Sequence, residues 1–431
     1  MNLQASQSSS MTAAIRSARL CRLCGAALQD TFVDLGMSPP CESFVPAAEI
    51  GNVEAYYPLH AFVCRECLLV QLEEHVSPQN IFEEYAYFSS YSDSWVEHAR
   101  RYCDMATDRF RLNSESLVVE LASNDGYLLQ HFVRKAIPVI GIEPAINVAK
   151  VAIEKGVPTV TRFFGRSLAR EMAAEGKMAD LIVGNNVLAQ VPDLNDFVAG
   201  MKILLKHKGV ITLEFPHLAT LIAESQFDTI YHEHFSYFSL MTIEKMARRH
   251  DLKVFDVEEL PTHGGSLRIY LCHIEEDIHR EARVDALRMS EFKSGLDLVE
   301  TYTSFGEAVR MKKRNLLSYL IQLKDAGRSI CGYGAPGKGN TLLNYCAIGT
   351  DFLDFTVDRN PYKHGRFTPG MHIPIRPVNE IDVHKPDYVL ILPWNLKDEI
   401  VKQMRHIGDW GGKFIVPIPH VAVIDPTESQ Q

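Results

Sequence analysis

The chain has 431 residues, 46% hydrophobic and 23% charged, which is room for two or three globular domains. Forty-four Lys and Arg against 54 Asp and Glu leave a net charge of −10, which excludes a generic nucleic-acid binder, because phosphate affinity rests on cations that displace counterions. No apolar run approaches the ~20 residues of a membrane-spanning helix, and nine cysteines in so long a chain are no disulfide framework, so membrane, secreted and fibrous classes drop out and a cytoplasmic protein is expected.

Residues 1–20 are polar and Ser/Gln-rich, without the apolar core of a signal peptide, and read as a disordered tail. Cys21-Arg22-Leu23-Cys24 and Cys64-Arg65-Glu66-Cys67 then form two C-x-x-C knuckles, 39 residues apart. Two knuckles supply four thiolates, the closed tetrahedral shell of a structural Zn2+ with no open position for water. The second lies between Tyr57–Val63 and Leu68–Leu72, both strand-like, so a hairpin with the knuckle at its turn is expected. The alternative is a pair of redox dithiols, but neither knuckle opens a helix after a strand. Cys41, alone in Pro39-Pro40-Cys41-Glu42, is set aside as a turn residue. Cys103, Cys272, Cys331 and Cys346 are isolated and read as buried small side chains.

From Pro78 to Phe110 the sequence is aromatic and polar and ends in a helix. Buried strands follow at Leu117–Leu121, Val139–Glu143, Leu181–Gly184 and Gly209–Phe215, alternating with helices such as Val148–Lys155 and Leu194–Leu205. That alternation predicts a parallel sheet covered on both faces. Leu252–Val257 and Leu267–His273 are close in sequence and are expected to pair antiparallel. A long charged helical stretch, about Asp277 to Asp325, leads to a second alternating region with strands at Ser329–Tyr333, Phe355–Asp358, Tyr388–Leu392 and Phe414–Val416. The expected class is α/β, in three parts: a zinc-binding module (21–78), a larger Rossmann-like domain (79–310), a smaller Rossmann-like domain (311–425), and a short tail (426–431).

Two turns raise the question of a cofactor. The first strand runs into Glu120-Leu121-Ala122-Ser123-Asn124-Asp125-Gly126, and in doubly wound sheets the first turn approaches the ligand most closely. An acidic, polar turn suits a cationic or hydroxyl-rich ligand better than a pyrophosphate. The second strand ends in Glu143, whose carboxylate can accept from both hydroxyls of a ribose. Together they form the pattern of an S-adenosylmethionine site; the alternative is a solvated edge residue. The later Gly332-Tyr333-Gly334-Ala335-Pro336-Gly337-Lys338-Gly339 contains a G-x-G-x-x-G between strand and helix, and Asp358 ends the next strand. It reads as an NAD fingerprint, as a phosphate cradle for any nucleotide diphosphate, or as a tight structural turn.

Tyr231-His232-Glu233-His234 is the densest reactive cluster. Its spacing is not the helical H-E-x-x-H of zinc proteases. A His flanked by a carboxylate and a phenol looks like general-base equipment, against the alternative of core histidines in an aromatic loop. Asn185-Asn186, His263-Gly264-Gly265-Ser266-Leu267-Arg268 and Tyr85–Tyr91 are polar runs compatible with ordinary loops.

With these residues in view, the chain resembles the sugar C-methyltransferases of deoxysugar biosynthesis, from Cys21 to about Val423. The resemblance rests on both knuckles, Glu120–Gly126, Gly141–Pro144, Asn185–Leu188, Tyr231–Leu240, His263–Arg268 and Gly332–Asn340. It implies a zinc domain, a class I methyltransferase domain and a C-terminal Rossmann-like domain acting on nucleotide-linked 4-keto-deoxysugars with S-adenosylmethionine. It implies His234 as the base that forms an enolate, with Tyr231, Glu233 and Tyr85 beside it. Cofactor contacts are implied for Glu120, Ala122, Ser123, Asn124, Asp125, Gly126, Glu143, Asn185 and Asn186. Substrate contacts are implied for Tyr85, Gln190, His263, Arg268, Gly334, Ala335 and Lys338. Two positions depart from the family, which usually has Gly at Ala122 and His at Gln190. Gln cannot take a proton at neutral pH, which leaves His234 as the proton acceptor. The runners-up are an NAD-linked nucleotide-sugar oxidoreductase built on Gly332–Gly337 and a zinc-ribbon ligand-binding protein. The residues carry no signal of oligomeric state.

Overall fold

The computed structural model describes residues 19–77 and 88–427. Most of both expected tails, and Tyr85, lie outside the described residues.

The second knuckle sits at the turn of a hairpin, Tyr57–Val63 with Val70–Leu72, as its flanking apolar runs predict. Asp30–Ser38 pairs with the first of these strands, completing three strands of a four-stranded antiparallel sheet. The fourth, Ser236–Tyr237, comes from far along the chain and pairs with Val70 and Gln71. The segment that carries His234 is thereby hydrogen-bonded into the N-terminal module.

The central sheet has seven strands. Numbered in chain order they are Val118–Leu121, Val139–Ile142, Thr159–Val160, Ala179–Asn185, Leu205–Pro216, Leu252–Leu260 and Ser266–His273, and they lie in the order 3-2-1-4-5-7-6. The first five are parallel; the seventh runs antiparallel between the fifth and sixth. The fifth strand starts four residues before the expected turn at Gly209, and a register irregularity after Ala179 accommodates the extra length. The helix before the sheet, Asp93–Phe110, buries Ala99, Tyr102, Cys103 and Ala106, an i, i+3, i+4, i+7 stripe. Ser92 caps it by accepting from the Trp95 N–H.

The charged stretch expected as one helical run is three helices: Ala282–Lys293, Val299–Thr303 and Phe305–Asp325. Gly295 at φ +74° ends the first, a conformation glycine adopts without strain. The last helix is continuous through residue 310, where a domain boundary was expected.

The C-terminal sheet has six strands. In chain order they are Ile330–Tyr333, Thr356–Val357, Ile375–Arg376, Tyr388–Ile391, Lys413–Val416 and Ala422–Ile424, arranged 3-2-1-4-5-6. Only the last is antiparallel. The third and sixth, too short to show a pattern, were not expected from sequence. One apolar core joins this sheet to the N-terminal module through Phe305–Asp325, with Phe32 stacked on Phe305 at 4.5 Å. A second core packs the knuckle cysteines against the central sheet. The N-terminal module is therefore wedged between the two Rossmann-like sheets, and Val45–Pro46 also pairs with Arg366–Phe367.

Candidate active site

The four knuckle sulfurs converge, all within 4.8 Å of one another, with Cys21–Cys67 at 3.5 Å and Cys24–Cys64 at 3.4 Å. A Zn2+ tetrahedron with ~2.3 Å bonds has S–S edges of roughly 3.8 Å, so the set fits a closed site. Gln71 donates to the Cys21 sulfur, which orients a thiolate. Cys41 is not part of this cluster. The four isolated cysteines are buried, as expected.

A cavity of about 670 Å³ lies where the carboxyl ends of both sheets meet. Ala122, Asn124, Glu143, Asn185 and Asn186 line it from the central sheet, and Pro336, Gly337, Lys338 and Asn395 from the C-terminal sheet. Tyr231, Glu233, His234, Gln190 and His263 complete the wall, together with Glu42 from the N-terminal module. The first central turn alternates left-handed residues, Ala122 (φ +54°), Asn124 (+49°) and Gly126 (+76°). Glycine at the first of these positions in the family is thus explained: an alanine there costs about 1 kcal/mol. Glu143 accepts the Asn124 and Ala145 N–H groups, each at 2.9 Å, and each oxygen keeps a lone pair.

Four of the expected cofactor contacts lie off the cavity wall. Glu120 is buried beneath the turn, its carboxyl pushed well above the ordinary range by burial and by Glu143 and Asp125. Ser123 packs on Gly141, where an added Cβ would lie 2.4 Å from its hydroxyl. Asp125 pairs with Lys155 at 3.0 Å. Gly126 backs onto Val157 and Ala152 in a close approach. Glu120 Oε2, Ser123 Oγ and Asp125 Oδ1 are buried without a hydrogen-bond partner among the described residues, whereas Asn124, Glu143, Asn185 and Asn186 line the cavity.

Arg268, expected to touch substrate, is also off the wall. It is bonded to Glu214 (2.7 Å) and Glu258 (2.9 Å) and lies over Tyr102. Despite burial, His98 and Arg268 hold Glu214 down at about 2. His98 and Trp95, stacked at 5.0 Å, do line the cavity. Their i, i+3 spacing on the Asp93–Phe110 helix was the sequence signal for them. His263 occupies a left-handed conformation (φ +55°), sits edge-on to Trp95 and lies 2.9 Å from the Asn186 amide. Gly264 and Gly265 follow because a Cβ would strike Trp394 and Thr220 at 2.5 and 2.6 Å.

The glycine fingerprint does not present an open cradle. Gly334 lies against Pro393, the Ala335 N–H is taken by Asp358 at 2.7 Å, and neither residue lines the cavity. Asp358, expected near a ribose, also accepts from the Asn360 N–H. The first turn of the Gly337–Cys346 helix is covered by the N-terminal module: the Cys41 sulfur and a Glu42 oxygen lie 2.8 and 3.2 Å from where a Gly337 Cβ would stand. The Asn340 amide donates to the Cys41 carbonyl at 2.6 Å. A pyrophosphate has no free helix terminus here, which removes the argument for NAD. Lys338 does reach the cavity, its ammonium bonded to Asn395 (2.9 Å) and 4.7 Å above Trp394, whose indole N–H is held by Asp228.

His234 is buried, with Nδ1 3.2 Å from the Thr229 carbonyl. A carbonyl only accepts, so Nδ1 carries the proton and the Nε2 lone pair is free to accept, here from the Tyr231 hydroxyl at 3.0 Å. Burial, with help from His263 and Lys338, lowers its pKa to about 3 and keeps it neutral. Burial and nearby Glu42 push Glu233 the other way, up to about 8. Gln190 stands on the neighbouring loop, tied to this one by the Phe235 N–H bond to the Ala189 carbonyl.

A seven-stranded sheet of order 3-2-1-4-5-7-6 with an antiparallel seventh strand defines a class I methyltransferase, a fold that uses S-adenosylmethionine. The wall fits that cofactor: Glu143 keeps acceptor capacity, and Asn185 Nδ2 and Asn186 Oδ1 have no partner among the described residues. Family profiles match residues 21–82 ("Putative zinc binding domain"), 95–257 ("Methyltransferase domain") and 261–419 ("C-methyltransferase C-terminal domain"). The C-methyltransferase NovU of Streptomyces niveus is 34% identical over 407 residues, 94% of this chain and 96% of that one. The chain belongs to this family of zinc-binding C-methyltransferases. Solved structures align over less of it. One is an S-adenosylmethionine-dependent methyltransferase from Anabaena variabilis (15% identity, TM-score 0.33, 41% of this chain and 84% of that one). Another is the magnesium protoporphyrin IX methyltransferase of Synechocystis, solved with bound SAH (13% identity, TM-score 0.32, 41% and 81%).

Proposed function

We propose that this C-methyltransferase methylates a ring carbon, C-3′, beside the ketone of a nucleotide-linked 4-keto-deoxysugar, through an enolate. The observation that carries the proposal is His234: neutral, with its tautomer set by the Thr229 carbonyl and Nε2 directed to Tyr231 on the cavity wall. A ketone acidifies the adjacent C–H, and an imidazole with an unprotonated Nε2 is equipped to take that proton. Because Tyr231 occupies Nε2 here, its hydroxyl either relays the proton or yields its place to the substrate.

S-adenosylmethionine, when bound, supplies an electrophilic methyl group. Glu143 would hold its ribose hydroxyls, with Asn124, Asn185, Asn186 and the backbone at Ala122 around it. Lys338, His263 and Gln190 face the remaining volume and would orient the sugar nucleotide, with Lys338 the cation available to an anionic group. Tyr85 is proposed to reach the sugar from the N-terminal side. Methyl-labelled S-adenosylmethionine and a panel of nucleotide-linked 4-keto sugars test the substrate class; absence of labelled sugar would end it. Hydrogen exchange at the carbon beside the ketone, run without S-adenosylmethionine, isolates the first step. His234→Asn should slow it 10²–10⁴-fold, roughly the contribution of a general base. Exchange at full rate in that variant would assign the base elsewhere.

A further inference from the structure

A base held near 3 is always unprotonated but weak, so enolisation needs help at the keto oxygen. The cavity wall beside His234 carries two carboxyl groups from distant parts of the chain. Glu42 belongs to the loop after the Asp30–Ser38 strand, and Glu233 to the loop before Ser236–Tyr237. Cys41 bridges them, its sulfur 3.8 Å from Glu233 Oε1.

The two carboxyls have unequal partners. Burial and Asp358 raise the Glu42 carboxyl, but it also receives the Gly337 N–H at the start of a ten-residue helix and lies 3.8 Å from the Lys363 ammonium, two anion-favouring partners that Glu233 lacks as direct contacts. Lys363 is itself anchored to the Ala335 carbonyl at 2.8 Å and lies over Phe44. Glu233 is buried, with only the Cys41 thiol as a hydrogen-bond partner among the described residues. Glu42, about a third exposed, and the buried Glu233 both lie on the cavity wall, and the like charge between them is relieved by a proton on the carboxyl with less anion support, Glu233. The charged and titratable groups around the pair are Cys41, Asp358 and Lys363, with His234 and Tyr231 on Glu233's own loop.

We propose that Glu42 is a positioning residue: planted as the anion on the C-terminal domain's helix, it holds Glu233 as a neutral carboxylic acid that donates to the keto oxygen. This rests on the keto-sugar reading. In the step, the ring C–H bond breaks and its proton goes to His234. The bonding pair forms the new C=C bond, the C=O π pair moves to oxygen, and that oxygen takes the Glu233 proton. One proton leaves the sugar and one arrives, so the enolate is captured as its enol, beside a Glu233 carboxylate and a protonated His234. The C-terminal fold has thus exchanged a phosphate cradle for a carboxylate supplied by the zinc-binding module.

The test uses the full zinc-loaded chain. Infrared difference spectra between wild type and Glu233→Gln, recorded across pH without substrate, report the protonated carboxyl directly. It should be present at pH 7. Glu42→Gln keeps the side-chain shape but removes the like charge, so its titration should move down by about one pH unit or more. Lys363→Met removes the cation and should move it up. The alkaline limb of hydrogen exchange in a nucleotide-linked 4-keto sugar should follow both shifts. An ionised Glu233 at pH 7, or a titration unmoved by both substitutions, overturns the proposal. Opposite infrared shifts without exchange in any keto sugar would uphold the proton placement and reject the substrate class.

Discussion

The chain contains two doubly wound sheets whose first turns open toward the same cavity, and they use the same geometry differently. In the central sheet the turn after Val118–Leu121 carries no literal G-x-G-x-x-G, yet Asn124 and, across from it, Glu143 face the cavity. In the C-terminal sheet the turn after Ile330–Tyr333 carries the full fingerprint, yet Asp358, Lys363, Cys41 and Glu42 already occupy it. A glycine pattern reports that the backbone can turn tightly and be approached closely. It does not report what approaches. Here one turn faces the cavity, and the protein's own N-terminal module covers the other.

Removing zinc, by chelation or Cys64→Ser, gives the largest expected effect. Structural zinc sites contribute on the order of 10 kcal/mol to the folding of small modules, so the N-terminal module should lose its structure. Methyl transfer should fall to background because Glu42 and the strand that follows His234 are anchored there. S-adenosylmethionine affinity, measured by calorimetry, should change much less, because the central turn is built from its own sheet. Equal loss of both would show that the two turns are not independent.

Next is a paired substitution. Glu143→Ala should weaken S-adenosylmethionine binding about 10- to 100-fold, the loss of one or two hydrogen bonds to a charged acceptor. Asp358→Ala, at the corresponding strand end of the other sheet, should leave that affinity unchanged. It should instead lower thermal stability by freeing the Ala335 and Asn360 N–H groups. An effect of Asp358→Ala on NAD or S-adenosylmethionine affinity would contradict the comparison.

Stability against pH separates the two groups of the cavity loop by sign. His234 titrates near 3 when folded and about 6.5 when unfolded, so its contribution is full above 6.5 and is lost as pH falls toward 3. His234→Asn should therefore gain on wild type as pH is lowered through that window. Glu233 titrates at about 8 folded and roughly 4.3 unfolded, so the native state holds the extra proton and loses stability as pH rises between them. Glu233→Gln should gain on wild type as pH is raised from 4.3 to 8. Each difference has a limiting slope of ~1.4 kcal/mol per pH unit, readable from denaturant unfolding in a buffer series. Two differences with the same sign would refute the assignment.

The smallest effect is expected at Ala122. Ala122→Gly relieves a left-handed alanine, worth about 1 kcal/mol, partly offset by the greater freedom of glycine in the unfolded chain. A small rise in melting temperature is expected; a fall would mean that the methyl group packs usefully on the cavity wall.

The sequence by itself determined what depends on near neighbours. Apolar runs of four or five residues marked the main strands, because a strand buried on both faces can tolerate little else. The Ala99–Ala106 stripe made a helix with one wet face, and paired C-x-x-C knuckles defined their zinc site because each knuckle already holds two sulfurs a ligand's distance apart. The Tyr231–His234 cluster stood out as a dense group of reactive side chains, and Tyr231, Glu233 and His234 line the cavity. Tertiary structure alone decided where polar groups point. Arg268, expected at the substrate, is bonded to Glu214 and Glu258 and lies off the cavity wall. Ser123 and Asp125 sat in the right turn but face Gly141 and Lys155. Glu42 carried no local signal, because its importance comes from Gly337 and Glu233; beside it, the Cys41–Asn340 hydrogen bond spans 299 residues of chain. Local patterning encodes backbone conformation and burial, whereas the partner of a buried charge is whichever group the folded chain brings within ~4 Å, and that distance has no trace in the order of residues.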